Sequence, residues 1–164
     1  MAKAGGGGVG SGEKLQAEFA QEARVLGLLY RQEGKLVEAA RLHQRARRLH
    51  MAALGAQHRE VARDLCNLAN TLCDQGKFEE AAKAFQDARD IDSAQLGADH
   101  PDTAMDVGSL GMVLAVQHKW REALPLLQRA QEVLTYSLEP HEPNLQAVIR
   151  FHAECAERIR ALST

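Results

Sequence analysis

Side chains able to do chemistry are few in this sequence, and their spacing matches no catalytic site. The stretch from Gly8 to Lys14 has the glycines of a phosphate-binding loop, but a glutamate separates the last glycine from the lysine, and Leu15 stands where a hydroxyl residue is required. No hydrolase elbow, zinc-protease helix or pair of catalytic carboxylates in a recognisable context is present. We therefore predict that the chain is not an enzyme and binds no nucleotide.

Cys66 and Cys73 lie seven residues apart in one predicted helix, and together with a histidine they could bind a metal ion. Neither a Cys-x-x-Cys nor a His-x-x-x-His pair accompanies them, so we interpret them as small, partly buried packing residues. The sequence thus predicts no metal and no cofactor. Three cysteines in total, without the spacing of a disulfide framework, favour a reducing compartment.

Arg41, Arg45 and Arg48 form a basic row on one face of a predicted helix, a pattern that also occurs in nucleic-acid and phosphate sites. No aromatic residue is interleaved for base stacking, and the net charge of the chain is -2, so a solvated outer face is the simpler interpretation. No run approaches the roughly 20 apolar residues that span a bilayer, and the N-terminus lacks the apolar region of a secretory signal. We predict a cytoplasmic protein that binds neither nucleic acid nor membrane.

The strongest pattern is a repeat at a fixed offset of 42 residues. The segment Leu-Gly-Leu-Leu-Tyr from Leu26 aligns with Leu-Ala-Asn-Thr-Leu from Leu68 and with Leu-Gly-Met-Val-Leu from Leu110. Hydrophobic residues make up 45% of the chain and aromatic residues only 4%, which suits closely packed helices. A repeat of this length in such a composition is typical of stacked helical hairpins.

Apolar residues recur with the 3.6-residue period of a helix and predict two helices in each repeat. The first helices are predicted at about 13–32, 59–74 and 101–116, and the second helices at about 35–54, 77–96 and 119–137. Gly34 and Gly76 mark the turns within the first two hairpins, whereas His118 takes this place in the third and is expected to lower stability. Residues 1–12 are predicted to be a flexible glycine-rich tail, and residues 143–161 a final helix.

Small side chains recur at positions where two helices must approach closely. One column is formed by Gly27, Ala69, Gly111 and Ala153. Large apolar residues, among them Leu26 at the first repeat, are expected to fill the space between neighbouring hairpins.

These columns resemble the tetratricopeptide repeat. The match is more specific to the 42-residue subclass of kinesin light chains, which shares the phrases Asn-Leu-Ala at 67–69, Gly-Lys-Phe-Glu-Glu-Ala at 76–81 and Leu-Gly-Ala-Asp-His-Pro at 96–101. The resemblance implies an all-α fold, a right-handed superhelical solenoid of three helix-turn-helix repeats plus a C-terminal capping helix. We place this domain at 13–162, with repeats at about 20–58, 62–100 and 104–140.

The resemblance further implies a non-catalytic interaction module, an adaptor or scaffold whose concave groove binds a peptide or helix of a partner protein. Asn67 and Asn70 would hydrogen-bond a peptide backbone, and Arg24, Arg31 and Arg63 would hold a carboxylate. Carried over by position, the groove residues are Gln21, Arg24, Leu28, Arg31, Arg63, Asn67, Asn70, Asp74, Met105, Ser109, Met112, Arg150 and Glu154.

Two alternatives remain open at this point. The carboxylate-clamp variant of the family is disfavoured because Leu28 and Met105 stand where it needs an asparagine and a lysine. The other alternative is a structural solenoid segment that associates with itself through its terminal faces, as a homo-oligomer, and leaves the groove empty.

Overall fold

The computed structural model describes residues 10–163, and these residues form seven α-helices. The helices are α1 (Ser11–Gln32), α2 (Leu36–Leu54), α3 (Arg59–Asp74), α4 (Phe78–Leu96), α5 (Pro101–Val116), α6 (Trp120–Ser137) and α7 (Pro143–Ala161). The boundaries follow the predicted ones closely. The predicted flexible tail differs at its end, since Ser11 and Gly12 belong to α1, while residues 1–9 lie outside the described part of the chain.

The chain is a right-handed superhelical solenoid in which every helix packs against the next one in sequence. The pairs α1/α2, α3/α4 and α5/α6 are the three hairpins. α7 takes the place of a fourth first helix and packs against α6 and α5. One face of α7 covers the apolar end of the third hairpin. Its other face carries exposed charged residues and is therefore polar.

The turns within the three hairpins have the same backbone conformation, although one of them lacks glycine. Gly34 and Gly76 have φ values of 76° and 73°, and His118 has φ of 61°. In each turn the next residue donates its backbone N–H to a carbonyl five residues back, at 2.8 to 2.9 Å. The repeat geometry therefore imposes a left-handed conformation on His118, which agrees with the expected loss of stability at this position.

Two histidines begin the first helices of the second and third hairpins. The Nδ1 atom of His58 accepts a hydrogen bond from the backbone N–H of Glu60 at 3.2 Å, and His100 accepts one from Asp102 at 3.1 Å. These imidazoles satisfy amide groups that have no partner inside the helix. The start of each helix is thereby fixed, and with it the side chains that follow in the first turn.

The small residues are buried where the two helices of a hairpin meet, with one exception. Ala69 is fully buried, and a Cβ atom added to Gly111 would lie 2.8 Å from Cγ of Leu127. Ala153 is exposed, because residues 10–163 contain no helix after α7 that could pack against it. Leu26 was also expected to be buried between hairpins and is 41% exposed, since no hairpin precedes the first one in the described residues.

Candidate functional site

The first helices of the hairpins line a groove with two adjoining pockets. The pocket of about 380 Å³, here called the charged pocket, is formed by α1, α3, α5 and one residue of α4. The pocket of about 170 Å³, here called the apolar pocket, lies further along α3 and α5 and reaches α4. The charged pocket is lined by Arg24, Leu28, Arg59, Arg63, Cys66, Asn67, Asp92, Asp102, Met105 and Asp106.

Most of the predicted groove residues lie in these two pockets or beside them. Arg24, Leu28, Arg63, Asn67 and Met105 line the charged pocket, and Asn70, Ser109 and Met112 line the apolar pocket. A third pocket of about 300 Å³ is formed by Leu28, Arg31, Gln32 and Asp74. The remaining three predicted residues lie elsewhere. Gln21 lines a pocket on the outer side of α1, and Arg150 and Glu154 lie on α7, outside the two groove pockets.

The three arginines predicted to hold a partner's carboxylate already contact carboxylates of this chain. Arg24 is buried and lies 2.5 Å from Glu60 and 3.5 Å from Asp64. Burial acts to raise the pKa of Glu60, but the hydrogen bond and charge of Arg24 lower it overall. Arg63 is 3.0 Å from the same Glu60, and Arg31 is 2.5 Å from Asp74. Arg24 and Arg31 join the first hairpin to the second, whereas Arg63 and Glu60 lie on the same helix. All three arginines are thus already paired with carboxylates of this chain.

The interface between the first and second hairpins contains a complete ionic cluster. Asp64, fully buried on α3, receives Arg24 from α1 and lies 2.6 Å from Nδ1 of His50 on α2. Burial raises the pKa of Asp64, while the hydrogen bond from His50 and the charges of His50 and Arg24 act against this rise. A buried carboxylate is tolerated when cations and donors surround it, and here they do.

The equivalent interface between the second and third hairpins has the carboxylates but not the cations. The positions equivalent to Arg24, His50 and Asp64, 42 residues further along the chain, are occupied by Cys66, Asp92 and Asp106. Cys66 donates its thiol to Oδ1 of Asp106 at 2.9 Å, and this is the one hydrogen bond to that carboxyl group in the described residues. Oδ2 of Asp106 and Oδ1 of Asp92 are buried without a partner.

Burial, with too few cations to offset it, raises the pKa values of the carboxyl groups in this cluster. Burial raises the pKa of Asp106 to about 7; the Cys66 thiol acts against this rise, and the charges of Asp92 and Asp102 add to it. Burial also raises the pKa of Asp92, with Arg59 acting in the opposite direction. Near neutral pH, the Asp106 carboxyl group therefore holds a proton for a large part of the time.

The third interface, between the last hairpin and α7, has lost its polar groups altogether. The same offset places Gly108, Leu134 and Val148 at these positions. Leu134 and Val148 are buried, and a Cβ atom added to Gly108 would lie 2.9 Å from Cγ2 of Val148. Position by position, the three interfaces thus run from an ion cluster, through an incomplete acidic one, to apolar packing.

Sequence reasoning missed four of the charged residues that line the charged pocket: Arg59, Asp92, Asp102 and Asp106. Arg59 and Asp102 pair with each other at 2.5 Å. The signal for Asp106 was present, because it repeats Asp64 at the period of 42. However, the residues that pair across hairpins here are 40 or 43 apart, as in Arg24 with Asp64 and Arg59 with Asp102, so aligning the repeats at 42 does not reveal them as partners.

The apolar pocket combines hydrophobic walls with a small number of polar groups. Phe78, Phe85, Met112, Val113 and Val116 supply the walls, and Asn70 and Ser109 lie among them. Val116 is 43% exposed at its rim. Cys73, in the same pocket, has its pKa raised to about 11 by burial and by the charge of Asp74, so it is a thiol at neutral pH. Within residues 10–163, no cluster of three or more potential ligands could hold a metal ion.

Comparison with known proteins identifies the architecture. The sequence-family model of the tetratricopeptide repeat matches residues 20–94 and 65–135 of this chain. The chain belongs to the tetratricopeptide repeat family. Repeats of this family generally mediate contacts between proteins and are generally non-catalytic. No curated protein matches the sequence.

Solved structures similar to this chain include tetratricopeptide-like repeats of the kinesin light chain type. A putative kinesin light chain of Podosopora anserina with nearly identical repeats superimposes with a TM-score of 0.74 at 19% identity, over 85% of this chain and 66% of that one. BtubC (BKLC) from P. vanneervenii superimposes with a TM-score of 0.69 at 21% identity, over 88% of this chain and 64% of that one. The tetratricopeptide chain described here therefore covers less than two thirds of each of these structures.

None of the helices in the described residues is long and apolar enough to cross a bilayer.

Proposed function

We propose that this tetratricopeptide domain is a non-catalytic adaptor that binds a short peptide segment of a partner protein in the groove formed by α1, α3 and α5. The apolar pocket is the observation that carries this proposal. It offers hydrophobic walls with isolated amide and hydroxyl groups among them, the composition that peptide-binding surfaces use. Asn70 can donate to and accept from a peptide backbone at the same time.

Location and chemistry are part of the same proposal. Three free cysteines support a cytoplasmic location, where thiols stay reduced. Arg41, Arg45 and Arg48 are exposed on α2 and make no ion pair among residues 10–163, as a solvated outer face would show.

Val116→Glu tests the groove directly. A charge at the rim of the apolar pocket is expected to weaken peptide binding by at least tenfold, because an apolar side chain could no longer enter without leaving the carboxylate poorly solvated. Pools of N-acetylated, C-amidated hexapeptides, read by fluorescence anisotropy, provide the assay. Asn70→Ala should weaken binding to a smaller extent through the lost backbone hydrogen bonds.

Gln86→Glu is the matched control, since Gln86 is exposed on α4 and lines neither groove pocket. Its peptide binding should equal that of the wild type. If Val116→Glu binds every peptide as tightly as the wild type while remaining folded, the groove is not the binding surface.

A second candidate function, self-association, is favoured by the outer face of α1. Leu15, Phe19, Leu26 and Leu29 follow a heptad-like spacing and are 41 to 50% exposed. With Val25, also exposed, they form an apolar strip along a whole helix. Two copies could bury this strip in an antiparallel contact that is the same on both partners.

Light scattering over a concentration series tests this second candidate. Self-association predicts a mass that rises from 18.0 kDa towards twice that value, and a return to the monomer mass in Leu26→Glu. Tyr136→Glu is the control, because Tyr136 is 93% exposed on α6, in the third hairpin and away from the strip. A constant monomer mass of the wild type at all concentrations would exclude self-association through α1.

A further inference from the structure

We propose that the charged pocket receives a basic side chain, lysine or arginine, of the bound peptide, and that Asp106 is its principal acceptor with Asp92 beside it. The proposal rests on the groove function proposed above and adds the chemistry of the partner. At the first interface between hairpins, this chain provides the cation itself, through Arg24. At the second interface, the peptide would provide it.

The argument starts from the pairing of charges in the pocket wall. Three arginines line the charged pocket, and each already contacts a carboxylate. Arg24 contacts Glu60 and Asp64, Arg63 contacts Glu60, and Arg59 contacts Asp102. Once these pairs are made, Asp92 and Asp106 remain as acidic side chains without a cation of their own among the described residues.

Both carboxyl groups are more than nine-tenths buried and line the same cavity. Asp106 is 5% exposed and Asp92 is 7% exposed, and each has one oxygen atom without a hydrogen-bond donor. Leaving buried carboxylate oxygens unpaired destabilises a fold, so such groups usually have a partner. The thiol of Cys66 is a weak donor and carries no positive charge, so it does not replace the missing cation.

Comparison with the first interface shows what type of partner fits. There the equivalent carboxylate, Asp64, is approached by the guanidinium group of Arg24. The equivalent of Arg24 in the second interface is Cys66, whose short side chain leaves open the space that an arginine fills one repeat earlier. An ammonium or guanidinium group from a peptide would therefore complete an arrangement that this fold already contains once.

The neighbouring apolar pocket defines the rest of the peptide. Cys66 lies in the charged pocket and Cys73 in the apolar pocket, seven residues further along α3. The helical rise makes this separation about 10 Å, which corresponds to about three residues of extended peptide. The preferred ligand is thus an extended segment with a basic residue about three positions from an apolar one.

Proton release should accompany binding. In the free protein burial raises the pKa of Asp106 to about 7, and a cation beside the carboxylate lowers it again. The other ionisable groups that face this cluster from the packed helices are Arg59, Arg63, Cys66, Asp92, His100 and Asp102. Affinity for a basic peptide is expected to rise between pH 6 and pH 8.

Binding of the full chain to hexapeptide pools with one fixed residue tests the inference. Each pool is N-acetylated and C-amidated, so that terminal charges do not contribute. Pools with fixed lysine or arginine are expected to bind about tenfold more tightly than pools with glutamate or glutamine at the same position. Asp106→Asn should abolish this preference and its pH dependence, so that lysine and glutamine pools bind this variant equally.

Asp90→Asn is the matched control, because Asp90 is an exposed aspartate of α4 that pairs with Arg89 and lies outside the groove. It should keep the full preference for basic peptides. Peptide binding without a preference for lysine or arginine would overturn the inference and leave the groove proposal intact. A preference that survives in Asp106→Asn would overturn it as well. Failure of every pool to bind would overturn the groove proposal itself, and this inference with it.

Discussion

Replacing Asp106 with valine is expected to stabilise the protein, whereas the same replacement at the equivalent Asp64 is expected to destabilise it. Asp106 is a buried carboxyl group without a cation, and the third interface shows that valine, Val148, packs at this position. Exchanging a poorly paired buried charge for an apolar side chain of similar volume should raise the free energy of unfolding by about 1 to 3 kcal/mol at pH 8.

Asp64 differs because its partners are inside the chain. Asp64→Val would leave the buried guanidinium of Arg24 and the imidazole of His50 without this acceptor. Removing one partner of a buried ion pair lowers stability by about 3 kcal/mol or more, although Glu60 would still contact Arg24. Thermal unfolding of the two variants measures the contrast, and melting temperatures that change in the same direction would contradict it.

The effect of Asp106→Val should depend on pH in a defined direction. The folded-state pKa of Asp106 is raised to about 7 from the ordinary value of 3.8. Between these values the folded protein holds a proton that the unfolded chain has released, so this group makes the wild type less stable as pH rises. The advantage of Asp106→Val is therefore expected to be small near pH 4, to grow towards pH 7 and then to level off.

Such a variant would also link stability to function. If Asp106 is retained to bind a basic side chain, Asp106→Val should gain stability and lose the preference for lysine peptides at the same time. Functional sites commonly contain groups that lower the stability of the empty protein. Among the described residues, the acidic cluster of the second interface shows this conflict between stability and binding most clearly.

The fold followed from the sequence because its determinants are local. Turn glycines such as Gly34, helix-starting prolines such as Pro101 and the period of 42 residues fix the helices and their order without reference to distant contacts. Even His118 adopts the left-handed conformation of the glycines at its position, because the repeat surrounds it with the same packing. Local signals repeated three times leave few alternative arrangements.

The site was only partly predictable because it depends on contacts between repeats. Arg24 was identified as a groove residue, but its partner Asp64 lies 40 residues further along the chain and is reached across the hairpin interface. Arg24 was therefore interpreted as a free cation when it is a buried structural one. Residues of the first hairpin were mispredicted for the same reason, because their burial depends on contacts with a neighbouring hairpin. The repeat pattern treats Leu26 as a core residue, but its exposure depends on whether a hairpin precedes it.

A second substitution with a large expected effect is His43→Leu. His43 is fully buried on α2, and both of its ring nitrogens lack hydrogen-bond partners in the described residues. The equivalent residues of the next two repeats are Phe85 and Leu127, both buried and apolar. Replacing a buried imidazole that makes no hydrogen bond should raise the free energy of unfolding by about 1 to 3 kcal/mol at pH 7.

The site should accept leucine without overpacking. A Cβ atom added to Gly27 would lie 2.7 to 3.0 Å from the ring of His43, and one added to Gly111 would lie 2.8 Å from Cγ of Leu127. In both repeats glycine leaves room for the side chain beneath it, so His43→Leu copies a pair that this fold already contains. His141→Leu is the control, because His141 is exposed in the loop before α7 and its replacement should change stability little.

The pH dependence of His43→Leu should be opposite to that of Asp106→Val. Burial, with the charges of Arg31 and Arg24, lowers the pKa of His43 from 6.5 to about 4. Below pH 6.5 the unfolded chain binds a proton that the folded protein cannot accept, so this group makes the wild type less stable as pH falls. The advantage of His43→Leu must then grow from pH 6.5 towards pH 4, the range in which the advantage of Asp106→Val shrinks. If the stability advantage of both variants changed with pH in the same direction, the pKa of His43 or of Asp106 would not be shifted as its surroundings predict.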